Sequence, residues 1–342
     1  MMSEIRVGLI GLGFMGRTHA TLWQQVPGAR LVAVADADPV RRSGGASVQG
    51  NIGGAQAPLD FSGVQTFADG RQLIAQAPVD AVDICLPTYL HAEFTQLAAA
   101  AGKHVFVEKP MALTSDQAAA MIEAAHRNNV QLMVGQCLRF WPEYNYLRDC
   151  VNTGRLGKLL KASFFRLSSK PTWAWEGWLL DPARSGSAML DMHVHDVDYV
   201  NFVLGRPRSI YATAGRTGAT PGWDLVTAQW AYPDGCQVNL EGAWYNLESF
   251  PFRAGYLAVF ERGVVQMDSA AQPTVTLYQP GREAEPIALA GDAYLSELTY
   301  FTRCLLDGKS VAEMVAPESA RASLELVEAE RRSAESGSIL SL

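Results

Sequence analysis

The stretch IRVGLIGLGFMGRTHATLWQQVPGARLVAVADADP, residues 5–39, decides the fold. Residues 5–10 form an apolar run of the length and composition of a buried parallel strand. Gly11, Gly13 and Gly16 follow as GxGxxG, and residues 17–25 read as a helix. A second apolar strand, 31–35, ends at Asp36. A glycine-rich turn is weak evidence when isolated. Set between a strand and a helix, with an acid about 20 residues beyond its last glycine, it fits a dinucleotide-binding turn. Glycine permits the tight turn and lets the backbone approach a pyrophosphate, and the helix N-terminus offers unpaired N–H groups to the anion. The expected cofactor contacts here are Gly11, Gly13, Phe14, Met15, Gly16 and Asp36. A carboxylate at position 36 can accept from both ribose hydroxyls and repels a 2′-phosphate, which favours NAD over NADP. Arg41 and Arg42 follow closely and read as solvated charges, although either could pair with such a phosphate.

Residues 43–63, rich in Gly, Ala, Ser and Gln, read as a long flexible excursion. Strands at 79–86, 104–110 and 131–135 then alternate with helices at 91–101 and 115–128, so a parallel, doubly wound sheet is expected with its ligand at the strands' carboxyl ends. Two strand ends matter for that reason. LPTYLH (86–91) contributes Leu86, Pro87 and His91, the last as either a nicotinamide contact or a helix-start residue. VEKP (107–110) contributes Glu108 and Lys109, with Lys109 pointing into the crevice.

After residue 135 the pattern changes. A helix introduced by Pro142 precedes β-rich segments at 159–169, 209–215, 224–232, 236–245, 255–262 and 274–279, with a PDG hairpin turn between two of them. Helices at 294–306 and 317–335 close the chain. The expectation is a Rossmann domain over 1–134 and an α/β domain with an open, mainly antiparallel sheet over 135–342. A sheet with helices on one face leaves the other needing cover, so a homodimer or homotetramer through it is expected.

Composition sets outer limits. Hydrophobic residues make up 48% and charged residues 18%, a globular balance. The net charge of -7 argues against a nucleic-acid partner. No apolar run is long enough to span a bilayer, and the first residues lack a signal-peptide layout. Five scattered cysteines without a CxxC pair read as reduced thiols in a cytoplasmic protein.

The octet DMHVHDVD (191–198) holds two histidines and three aspartates. A helix running from SGSA (185–188) to about Leu204 would put Asp191, His195 and Asp198 on one face. His193 would project towards the apolar face as a structural histidine. Metal is not expected, because a site needs three or four ligands and the remaining histidines lie in the nucleotide-binding part.

Taken together, GLGFMGRTHA (11–20), LPTYLHAEFTQLAAAAGKHVFVEKP (86–110) and SGSAMLDMHVHDVD (185–198) resemble the Gfo/Idh/MocA family of NAD(P)-dependent oxidoreductases over essentially the whole chain. The resemblance implies a Rossmann domain followed by an α/β domain, and oxidation or reduction of sugars, inositols and related polyols. Lys109 matches the lysine of the family's EKP motif, and Asp191 and His195 match its DxxxH. Position 193 is often glycine in the family, so His193 either adds a substrate contact or marks a subgroup. Ser185-Gly186-Ser187 replaces the usual three glycines.

Oxidising an alcohol requires a group that takes the hydroxyl proton. His195 is the expected acid/base. Asp191 would orient its imidazole or anchor a neighbouring substrate hydroxyl, and Lys109 would stabilise charge on the reacting oxygen. Expected substrate contacts are Lys109, Arg139, Trp178, Asp191, His193 and His195. Trp173, Trp175 and Trp178 either face a sugar ring or pack a loop onto the sheet. Two other readings compete with a dehydrogenase: a glycosidase that oxidises its substrate transiently, and a non-catalytic NAD-binding sensor. Sensors tend to lose the acid/base residues, which are all present here.

Overall fold

A computed structural model describes residues 4–45, 50 and 57–342. Residues 46–49 and 51–56 of the expected excursion at 43–63 therefore lie outside the described residues. The first sheet is built from β1 (Ile5–Ile10), β2 (Ala29–Ala35), β3 (Gln65–Phe67), β4 (Ala81–Ile84), β5 (His104–Glu108) and β6 (Leu132–Gly135), in spatial order β3-β2-β1-β4-β5-β6. Every pairing in it is parallel. Its strands are apolar on both faces because helices cover both, with Val7, Leu9, Val82, Ile84, Val105 and Val107 all buried. The covering helices are α1 (Phe14–Trp23), α2 (Pro39–Arg42), α3 (Gly70–Gln76), α4 (Thr88–Ala100) and α5 (Ser115–Arg127). Thr114 caps α5 by accepting from the Gln117 N–H.

Registers bring the working ends level. Ile10 pairs with Ala35 on one side and Ile84 on the other, so Gly11, Asp36 and Cys85 emerge together. The chain order reverses between β1 and β4, and the crevice lies at that switch point.

Helix α6 (Pro142–Thr153) leads into β7 (Leu159–Ser169). Between β7 and the next strand lie α7 (Pro182–Ser185), α8 (Ser187–Asp191) and α9 (Val194–Leu204). The second sheet continues with β8 (Ser209–Gly215), β9 (Leu225–Ala231), β10 (Gln237–Tyr245), β11 (Arg253–Phe260), β12 (Gly263–Asp268), β13 (Val275–Tyr278) and β14 (Glu285–Ile287). Then come α10 (Ala293–Asp307), α11 (Ala312–Val315), α12 (Pro317–Ser336) and β15 (Leu340–Ser341). The order is β14-β13-β12-β11-β7-β10-β9-β8-β15, antiparallel except for the central β7–β10 pair. That parallel pair departs from a simple meander, because the segment between the two strands crosses over the sheet instead of turning back.

Alternation along β9 shows why one face is covered: Val226, Ala228 and Trp230 point inward beneath α8 and α12, while Thr227 and Gln229 point out. One outward row crosses the sheet as Tyr211, Gln229, Asn239, Ser163, Leu257, Gln266 and Thr276. Tyr211 and Leu257 in that row are exposed apolar groups. The five cysteines are all unpaired, and among the described residues no helix is long and apolar enough to cross a membrane.

Candidate active site

The carboxyl ends of the first sheet and the segment between β7 and β10 enclose a cavity of about 540 Å³. Gly11, Gly13, Phe14, Met15, Asp36, Leu86, Pro87, Glu108 and Lys109 form one wall. Gly11 has φ +91°, and a Cβ there would come 2.6 Å from the Cys85 carbonyl oxygen. Position 13 begins α1 and opens on free space, so a side chain there would fill the cradle. The turn and the uncapped start of α1 thus fit a dinucleotide pyrophosphate. Gly16 lies behind this wall, where a Cβ would approach Gly11 O to 1.8 Å. It permits the close helix–strand packing that the turn needs.

Asp36 accepts from the Leu12 and Asp38 N–H groups at 2.7 and 2.8 Å, which fixes its carboxylate at the cavity's edge. Arg42 is not a free surface charge, since its Nη1 donates to the Asp36 carbonyl at 2.6 Å. Arg41 joins the cavity wall. His91 lies in the first turn of α4, the helix-start role of the two expected for it. Its ring is buried, with Nδ1 2.8 Å from Pro110 O and Nε2 2.7 Å from Leu86 O, so it clamps the ends of β4 and β5 together. Burial lowers its pKa against the pull of those carbonyls.

Lys109 reaches across from the end of β5. Its Nζ donates to Asp191 Oδ1 at 3.1 Å and to Asp191 O at 3.0 Å. The expected helix from 185 to 204 is interrupted here: the Met192 and His193 N–H groups both donate to Ala188 O, widening the turn between α8 and α9. Asp191 and His195 nevertheless both line the cavity. No bond joins them, so the expectation that Asp191 orients the imidazole is corrected; its carboxylate is engaged by Lys109. The polar neighbour of the His195 ring is Cys137, whose Sγ lies 4.0 Å from Nδ1. Burial, then the charges of Lys109 and Arg166, hold the His195 pKa well below the ordinary imidazole value. This favours the neutral ring, the form that can accept a proton, while weakening its basicity.

Two expected substrate contacts lie elsewhere. Arg139 is buried: its Nε and Nη2 donate to Asp198 at 2.8 and 2.6 Å, Nη1 donates to Met314 O, and the group stacks on Phe202. This ion pair also accounts for Asp198. His193 is buried with Nε2 2.8 Å from Glu330 Oε2, while Trp230 Nε1 donates to the other oxygen of Glu330. Gly242 on β10 makes room for it, since a Cβ at 242 would lie 3.0 Å from His193 Cβ.

Trp173, Trp175 and Trp178 all line the cavity, joined by Trp141, Trp244, Phe252 and Tyr294. Arg166 also lines it, a residue that the alternation of β7 hides as an ordinary strand position. Beneath the cofactor wall is a buried polar cluster. His19 Nδ1 and Trp23 Nε1 meet Asp83 Oδ2 at 2.9 and 2.7 Å, and His19 Nε2 lies 3.2 Å from Glu108 Oε1. Glu297 of α10 adjoins Glu108, and burial reinforced by that neighbour raises its pKa well above the carboxylate range. His19 brings together two groups of three ligand-type side chains, one with Asp83 and Cys85 and one with Glu108 and Glu297. Asp83 already serves two donors, and Glu108 accepts from the Lys109 N–H at 3.1 Å.

The family model described as an oxidoreductase family with an NAD-binding Rossmann fold matches residues 5–136, and that of the GFO/IDH/MocA C-terminal domain matches residues 144–264. The chain is 34% identical over 211 residues to an inositol 2-dehydrogenase of Rhizobium meliloti, covering 61% of this chain but only 58% of that relative. It is 30% identical over 321 residues to the inositol 2-dehydrogenase of Rubrobacter xylanophilus, covering 90% and 85% of the two chains. Its fold matches that of the aldose-aldose oxidoreductase from Caulobacter crescentus with a TM-score of 0.83 at 23% identity, over 99% of this chain and 100% of the other.

Proposed function

Because the chain belongs to the GFO/IDH/MocA oxidoreductase family, we propose that it is an NAD-dependent dehydrogenase acting on a secondary alcohol of a sugar, inositol or related polyol. The observation that carries this reading is convergence. Lys109 from the end of the first sheet meets Asp191 of α8 and His195 of α9 in a cavity whose other end is a dinucleotide cradle.

A bound nicotinamide supplies the hydride acceptor. The chain's own residues do the rest. His195 Nε2, with no partner among the described residues, takes the hydroxyl proton, and its lowered pKa favours the neutral ring beforehand. Lys109 Nζ donates to the reacting oxygen as it gains negative charge, while Asp191 holds that ammonium in place and accepts from a neighbouring substrate hydroxyl. The aromatic wall excludes water and offers flat faces to a ring. Asp36 favours NAD over NADP. Residues 1–134 carry the cofactor and 135–342 the substrate, and two or four copies associate through the open face of the second sheet in the cytoplasm.

The test is to incubate the protein with NAD and a panel of inositols, aldoses and glycosides while recording NADH and released sugar. One class should yield NADH. His195→Ala should lower turnover about 10²–10⁴-fold with NAD binding unchanged. Full activity in that variant would remove His195 from the reaction. Free sugar without net NADH would favour the glycosidase, and NAD binding without any turnover the sensor.

A further inference from the structure

Arg166 stands in the middle of β7 with a divided environment. Its Nε and Nη2 donate to Asp196 at 2.8 and 3.1 Å, and Nη2 also donates to the Tyr144 hydroxyl at 3.0 Å. Among the described residues Nη1 donates to nothing, yet it is not among the buried unpartnered atoms. Arg166 is otherwise 5% exposed and lines the cavity, so Nη1 is the part of it that opens there. Asp196 is 1% exposed and forms no part of the wall. A ligand in the cavity meets the cation without meeting its counter-ion.

A second observation agrees with this. Burial apart, the charges that lower the His195 pKa are those of Lys109 and Arg166, both positive. Lys109 is matched by Asp191 and by charge developing on the reacting oxygen. Arg166 has no such use for its free donor when the substrate is a neutral polyol. Around it the wall is aromatic, Phe252 lying 5.9 Å from the guanidinium carbon, so water is a poor substitute partner.

We propose that the substrate is an acidic sugar or cyclitol whose carboxylate accepts a hydrogen bond from Arg166 Nη1. This rests on the oxidoreductase reading above and narrows its substrate class. A charge-assisted bond in a water-poor cleft discriminates strongly, because the neutral analogue leaves the donor unpaired.

The experiment compares matched pairs (glucuronate with glucose, galacturonate with galactose, a carboxylated cyclitol with myo-inositol) for NAD reduction and for binding to the NADH-loaded protein. The acids should have kcat/KM at least 10-fold higher. Arg166→Met should raise KM for the acid about 100-fold with a smaller change in kcat, and change the neutral partner's KM little. Arg166→Lys should restore part of the preference. Melting temperature and NADH binding are followed for both variants. Wild-type protein that oxidises neutral sugars as well as acids overturns the carboxylate subsite and leaves the dehydrogenase standing. Acid binding that depends on Arg166 but gives no NADH keeps the subsite and removes the dehydrogenase. If neither acid nor neutral sugar binds or reacts, both fall.

Discussion

Replacing Lys109 with Met keeps the length of the stem and removes the ammonium that joins the two walls of the cavity. Three effects can be separated. First, the donor to the reacting oxygen is lost, which should lower kcat by about 10²–10³-fold, or about 3–4 kcal/mol of transition-state stabilisation. Second, Asp191 loses its partner. At 3.1 Å and an effective dielectric of about 20, the gross attraction is about 5 kcal/mol. Most of it offsets the desolvation of two side chains that are 15% and 14% exposed, leaving a stability loss of about 1–3 kcal/mol. Third, the charge that after burial does most to lower the His195 pKa disappears. His195 works as a base only when neutral, so kcat/KM falls on the acid side as the ring protonates. In the wild type that fall lies well below the usual imidazole range. In the variant it should move to higher pH, though burial and Arg166 still keep it below the solution value. The assay is kcat/KM against pH, with NADH affinity measured by fluorescence. A loss under 10-fold together with an unmoved acid limb would refute both roles of Lys109.

Asp36→Ser removes the carboxylate and its repulsion of a 2′-phosphate, and leaves Arg41 in the wall free to pair with one. The KM for NAD should rise about 10–100-fold while that for NADP falls, as measured by steady-state kinetics with both cofactors. His193→Ala leaves a Glu330 oxygen unpaired in the core and should cost about 2–4 kcal/mol in denaturant unfolding. Substrate KM should hardly change in that variant, and a large KM change without loss of stability would return His193 to the site.

The parts legible in the sequence were those in which the physics is local. A buried strand, a glycine turn and a helix succeed one another within residues 5–23, so the nucleotide cradle could be read there. The strand-end rule placed Lys109 without any knowledge of its partner. What escaped depended on distant pairs. Arg139 reads as a free cation near the site until Asp198 and Met314 are seen to take its donors. His193 reads as a structural histidine on the apolar face, but its partner Glu330, far along the chain on α12, could not be named from the sequence. Arg166 was hidden because β7 has an ordinary alternation, and only its pairing beside β10 turns that position towards the cavity. Helical spacing put Asp191 and His195 on one side but could not foresee the wide turn at Ala188.

The parallel pairing of β7 with β10 divides the cavity between two kinds of support. Arg166 belongs to a central strand, paired on both sides. Trp173, Trp175, Trp178, Asp191 and His195 all belong to the crossover that leads from β7 to β8, residues 170–208. Closure entropy grows only with the logarithm of length, so even doubling such a segment would cost about 0.6 kcal/mol. The crossover is therefore a cassette. Its insertions and deletions can remodel the aromatic wall while strand registers, and the cation anchored among them, keep their places. New ring shapes could be admitted by exchanging the cassette alone, whereas a change in the charge accepted would require altering the sheet itself.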